Sequence, residues 1–144
     1  MAARASATVT ESLGKVPLFS GCSRRELAKL AHLGTTVHVA QGATLTREDK
    51  PGREFVLLMI GEAHCTIKGR RVAKYGPGDF FGELSLLDAG PRTATIKMDS
   101  AGELLVLDQA EFFQLLDVTP SIVKKLLVEL ASRQRTTTRV LLTA

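Results

Sequence analysis

The sequence holds too few cysteines and histidines for most chemistry built on them. Cys22 and Cys65 are the two cysteines among 144 residues, and neither belongs to a CxxC pair. That excludes a multi-cysteine zinc site and a disulfide-dense scaffold, and it points to reduced thiols. The three histidines, His32, His38 and His64, form no ligand-like cluster, which removes the donors of most metalloenzymes. Long apolar runs are missing too. The longest, Phe55 to Ile60, is far short of the ~20 residues a membrane helix needs. No secretory core follows Met1, so the expected address is cytoplasmic, with no membrane partner. The net charge of +4 is mildly basic. It is too diffuse to imply nucleic acid by itself.

What is present is ordinary for a globular chain: 44% hydrophobic and 24% charged residues. The length suits one domain with one hydrophobic core. Residues 1–12 are small and polar and read as a flexible tail. Residues 13–33 read as a helical lead-in, in which Ser23 and Glu26 form a capping box before Leu27, Leu30 and Ala31.

From 34 to 108 the texture changes. Short runs of β-formers alternate with glycine-bearing turns: Thr35–Ala40, Ala43–Arg47, Glu54–Ile60, Ala63–Lys68, Arg70–Tyr75, Thr93–Met98 and Glu103–Leu107. Many short strands with no helices between them predict an antiparallel jelly roll. Gly69 in Lys68-Gly-Arg-Arg71 suits a tight hairpin turn that needs a positive φ. Residues 109–144 are helical again. Asp108 reads as a second N-cap with an acid, Glu111, at N3, and Thr119 with Pro120 opens the last helix as cap and N1 residue. Ile122, Leu126 and Leu130 share one face of it. Thr136, Thr137 and Thr138 weaken it, each by about 0.5 kcal/mol relative to Ala. The fold expected is α+β: an antiparallel β-roll flanked by an N-terminal helix and C-terminal helices.

The chemistry concentrates in residues 76–95, Gly-Pro-Gly-Asp-Phe-Phe-Gly-Glu-Leu-Ser-Leu-Leu-Asp-Ala-Gly-Pro-Arg-Thr-Ala-Thr. Gly78 and Gly82 allow tight backbone geometry on either side of Phe80 and Phe81. Glu83 to Leu87 suits one helical turn, whose free amides attract an anion. Arg92, stiffened by Pro91, opens a strand at the same place. A guanidinium beside such a turn suits a phosphate, through permanent charge and paired donors. Glu83 would be repelled by the phosphate but accepts well from sugar hydroxyls. Acid on ribose and amides on phosphate is a division of labour known from dinucleotide sites.

These residues resemble the phosphate-binding cassette of the cyclic nucleotide-binding domain family. That family includes bacterial cAMP receptor proteins, regulatory subunits of cAMP-dependent kinase and cyclic-nucleotide-gated channels. The match lies in Phe81-Gly-Glu-Leu-Ser-Leu-Leu87 and Pro91-Arg-Thr-Ala-Thr95, within a cassette spanning 78–95. Leu18-Phe19 with the next helix, the joint glycines Gly42, Gly61 and Gly78, and the spacing from Arg92 to Pro120 extend the likeness over most of the chain. The resemblance implies that Arg92 pairs with the cyclic phosphate and that Glu83 accepts from the ribose 2′-hydroxyl. It implies that amides around Leu84, Ser85 and Thr93 complete the cradle and that Gly82 admits the backbone. Counting on from Arg92 places Thr137 and Thr138 against adenine. It implies a single sensor module over 13–144 with cAMP, or else cGMP, as ligand, no cofactor, no metal and no catalysis.

Bland readings stand beside the sharp ones. Glu83 and Arg92 could be an ion pair in a cassette that has lost its ligand, the domain then serving as a protein-interaction module. The threonine run could be a frayed helix end. Phe80, Phe81, Phe112 and Phe113 fit burial better than base stacking. Lys124, Lys125, Arg133, Arg135 and Arg139 read as a solvated basic face. Cys22 and Cys65 read as inert thiols. A cupin-type enzyme lacks its HxH pair. A transcription factor needs a recognition helix, and none fits before Ala144, so DNA binding by this chain is not expected. The effector is a protein this sequence does not name. Whether a second copy packs on the C-terminal helix stays open, as does whether the chain is a whole protein or one domain of a longer one.

Overall fold

A computed structural model of the chain describes residues 2–4, 11–82 and 93–142. Nine strands are described: β1 Ala2–Arg4, β2 Thr35–Val39, β3 Thr44–Thr46, β4 Glu54–Ile60, β5 Ala63–Ile67, β6 Arg70–Tyr75, β7 Phe80–Phe81, β8 Thr95–Met98 and β9 Gly102–Asp108. They form two antiparallel sheets. One has the order β1-β2-β9-β4-β7 and the other β3-β8-β5-β6. Three α-helices are described: α1 Arg24–Leu33, α2 Gln109–Val118 and α3 Ser121–Leu142. The result is the α+β β-roll with flanking helices that the spacing of strands and caps predicts.

Alternation along β4 explains the layering. Phe55 and Leu57 join one core cluster with Leu13, Leu30, Phe112, Leu115 and Ile122. Val56 and Leu58 join the other, with Cys65, Ile96 and Met98 of the second sheet. Successive side chains of a strand point to opposite faces. The five-stranded sheet is therefore a middle layer, with helices on one side and the second sheet on the other. Burial on both faces accounts for the unbroken apolar run Phe55–Leu58, none of which is exposed. β9 repeats the device: Leu105 and Leu107 face the helices, while Leu104 faces the second sheet.

Local signals fix the joints. In α1 the Ser23 hydroxyl accepts from Glu26 N at 3.1 Å, and Glu26 Oε1 accepts from Ser23 N at 2.8 Å. Asp108 and Glu111 form the same reciprocal pair at the start of α2. Such a cap contributes about 1 kcal/mol. The β5–β6 turn is the expected hairpin, with Lys68 at φ 51° and Gly69 at φ 77°.

The structure differs from the sequence reading in several places. Residues 13–33 are not one helix. A 3-10 turn, Pro17–Phe19, precedes α1, because Ser23 caps a new start. Ala2–Arg4, inside the stretch read as a tail, pairs as a strand with β2. β7 has no period to announce it in sequence, being two residues long. Thr119 is no side-chain cap. Its hydroxyl is buried without a partner, and its carbonyl accepts from Ile122 N instead. The threonine run does not fray α3, which continues to Leu142. Phe113, grouped with the core from sequence, is 39% exposed.

Candidate functional site

The turn before β7 sets the site. Gly78 N donates to Leu58 O, and Leu58 N donates to Asp79 O, both at 2.8 Å. The Asp79 carboxylate accepts from Gly76 N at 2.8 Å. These bonds pin residues 76–79 to β4 and fix the faces of the next two residues. Phe80 enters the helix-side core and Phe81 the inter-sheet core. Gly82 then turns the chain at φ 94°, a conformation a side chain resists.

Beyond Phe81 the inter-sheet core gives way to a cavity of about 600 Å³. That lies inside the range of roughly 300–1,000 Å³ usual for small-molecule sites. Its apolar wall comes from Cys65, Ile67, Val72, Phe81, Ala94 and Ile96. Polar groups enter from two directions. Gly82 and Thr93 line it from the β-roll; Arg133, Gln134, Thr137 and Thr138 line it from α3. The Thr46 hydroxyl, also at the wall, donates to Ala94 O at 2.9 Å and ties β3 to the start of β8. Burial pushes the Cys65 thiol above its ordinary pKa, and a hydrogen bond with Tyr75 opposes the shift. Cys65 is therefore a protonated wall residue and a weak nucleophile. Cys22 lies apart from the cavity, and burial raises its pKa too.

The structure brings four of the sequence-derived residues together: Gly82, Thr93, Thr137 and Thr138 all line the one cavity. Glu83, Leu84, Ser85 and Arg92, with the helical turn expected at 83–87, lie outside the described residues. His64 sits on β5 away from this cavity, its Nδ1 2.7 Å from Asp99 Oδ1. Among the described residues, no three His, Cys, Asp or Glu side chains gather to hold a metal ion. No helix among them is long and apolar enough to cross a membrane.

Sequence reasoning missed Arg133, which it left on a solvated face. Its side chain is 20% exposed, and its Nε lies 3.2 Å from Glu129 Oε1. The guanidinium carbon stands 4.1 Å from the Phe80 ring centroid and 5.4 Å from that of Tyr75. The signal was available. Continuing Ile122, Leu126 and Leu130 at helical spacing reaches Arg133 and then Thr137 on the same stripe. Lys125, from the same basic set, donates to Ser20 Oγ at 2.9 Å.

A family model for the cyclic nucleotide-binding domain matches residues 36–118. A cAMP-dependent protein kinase regulatory subunit from Emericella nidulans is 35% identical over 128 residues, covering 88% of this chain. The chain spans 31% of that relative's length. Among solved structures, cAMP-bound PfPKA-R superposes with a TM-score of 0.85 at 26% identity, over 92% of this chain and 46% of that one. The Thermus thermophilus catabolite activator protein superposes with a TM-score of 0.77 at 30% identity, over 87% of this chain and 61% of that one.

Proposed function

The chain belongs to the cyclic nucleotide-binding domain family, and on that premise we propose that it is a regulatory module that binds cAMP in preference to cGMP. It catalyses no reaction and passes its signal through α3. One observation carries the reading: Gly82 and Thr93, the residues on either side of segment 83–92, line the same cavity as Thr137 and Thr138 of α3. A ligand between them touches the cassette at one end and the last helix at the other.

In this reading Arg92 takes the cyclic phosphate and Glu83 the ribose 2′-hydroxyl. The amides of Leu84, Ser85 and Thr93 complete the anion cradle, with Gly82 admitting close backbone approach. Thr137 and Thr138 offer hydroxyls to the base. The apolar wall at Val72, Phe81 and Ile96 suits the faces of the sugar and purine. α3 rests on the roll through Ile122 and Leu126, both buried, while its later turns roof the cavity. Ligand binding shifts α3 only as far as the open and closed arrangements differ in affinity. The competing reading is a protein-interaction module on the same fold with a pocket that takes no nucleotide.

Calorimetric titration of nucleotide-stripped protein with cAMP and cGMP separates them. Micromolar or tighter cAMP binding, weaker for cGMP, is the expected result. No heat and no thermal stabilisation at millimolar nucleotide would overturn the sensor reading.

A further inference from the structure

We propose that Arg133, besides lining the cavity, is the positioning residue that couples its occupancy to α3, acting through the Phe80 ring. The proposal rests on the cyclic nucleotide reading of the site. Its basis is where one guanidinium stands. Arg133 caps two aromatic stacks at once. Through Phe80 it reaches Phe55 at 5.5 Å and then Phe112 of α2 at 4.9 Å. Through Tyr75 it reaches Phe81 at 5.6 Å. The first stack lies along the helix-side face of the middle sheet and ends on α2, and the second is part of the cavity wall.

Phe80 and Phe81 are also the last two residues before Gly82. A ligand that moves the chain at Gly82 moves the two residues before it, of which Phe80 bears on Arg133 directly and Phe81 through Tyr75. Glu129, one turn earlier, holds the guanidinium by an ion pair at 3.2 Å. A partly desolvated cation over an aromatic face is a directional contact. It ties the roof helix to the strand that opens the cassette segment, and it breaks if α3 lifts. Leu126 and Ile122 anchor the start of α3 whether or not this contact forms.

Phe80 makes the test sharp, because Phe81 lines the cavity and Phe80 does not appear on its wall. Arg133→Met should raise the cAMP Kd about three- to thirty-fold, the range a cation–π contact spans. Phe80→Leu should raise it similarly although it touches no ligand. The double variant should then be no weaker than the weaker single, within about twofold. A second readout uses the absence of tryptophan from the sequence. Val128, exposed on α3, lines a groove against Pro17 and Leu18. Val128→Trp is thus a sole reporter of how α3 sits on the 3-10 turn. Arg133→Met should shift its emission to the red without nucleotide, and Arg133→Lys should shift it less. Multiplying effects, or a wild-type Kd for Phe80→Leu, would overturn the coupling role and leave the sensor reading standing. Should Phe80→Leu not fold, unchanged emission in both Arg133 variants overturns it. If the parent protein binds neither cAMP nor cGMP, both readings fall together.

Discussion

Replacing Gly82 with alanine separates what the backbone costs from what the site needs. Gly82 sits at φ 94°. A residue with a β-carbon held there pays about 1–3 kcal/mol. If the strain is retained, the loss appears as stability. For a domain of this size each kcal/mol lowers Tm by roughly 3–4 °C, so the fall should be about 3–12 °C. If the strain is relieved, the residue rotates to negative φ at the entrance of segment 83–92, and nucleotide affinity falls instead. Gly69 is the matched control. It has φ 77° with nothing within 4 Å of an added β-carbon, at a hairpin tip outside the cavity. Gly69→Ala therefore bears similar strain with no route to the ligand. Differential scanning calorimetry and cAMP titration of both variants are the assays. Both should lose stability or relax locally, and Gly82→Ala alone should lose affinity, by tenfold or more if it rotates. Where Tm shows the strain relieved, equal Kd values in the two variants would refute the claim that Gly82 is a site residue. An unchanged Tm and Kd for Gly82→Ala would refute the backbone argument itself.

Other expectations follow from the same contacts. Arg92→Ala should weaken cAMP at least tenfold, since a charge-assisted bond is worth about 1.5–3 kcal/mol; retained affinity would remove Arg92 from the phosphate. Glu83→Ala should cost less and cost nothing for 2′-deoxy-cAMP, so equal wild-type binding of the two nucleotides would exclude the ribose role. Leu57→Ala removes a fully buried side chain from the helix-side core. It should cost about 2–5 kcal/mol in urea unfolding, and a change under 1 kcal/mol would mean the layer is loosely packed. Cys65 has a folded pKa raised by burial. Above the ordinary thiol value, near 8.5, the unfolded chain loses this proton first, so stability falls as pH rises toward the folded value. Cys65→Ala should flatten that fall relative to the parent, and parallel stability curves between pH 8 and 10 would contradict the shift.

The roll was legible in sequence because its joints are chemical. The Ser23 capping box, the Asp108 cap, the Lys68-Gly69 hairpin and seven of the nine described strands carry residues that few other conformations would use. β1 and β7 were not legible. A three-residue and a two-residue strand are too short to show a period, and Phe80-Phe81 became a strand only because the turn at 76–79 is bonded to β4. Thr119 misled for a related reason. Threonine before proline is a cap signal, yet here the chain passes directly from α2 to α3, and burial takes the hydroxyl out of reach of the free amides. On the site, the motif singled out Gly82, Glu83 and Arg92, and the family resemblance Thr137 and Thr138; of these Gly82, Thr137 and Thr138 line the cavity, and Glu83 and Arg92 lie outside the described residues. Arg133 was passed over because a basic residue on a helix is usually solvated, although the stripe of Ile122, Leu126 and Leu130 leads to it.

That last failure has a general cause. Whether a cation on a helix belongs to solvent or to the core depends on the direction of the stripe, and the stripe is set by packing several turns away. Here Ile122 and Leu126 fix the rotation of α3 by their burial. Once they are seated, Arg133 has no choice of side. It must bury its stem and lay its head group on whatever ring the middle sheet presents. The sheet presents Phe80 because the alternation of β7 sends Phe81 the other way, into the cavity wall. Two adjacent phenylalanines on opposite faces thus connect the ligand side of the sheet to its helical side. The cavity and the core packed by α1, α2 and the start of α3 lie on opposite faces of that one layer, and this adjacent pair spans it.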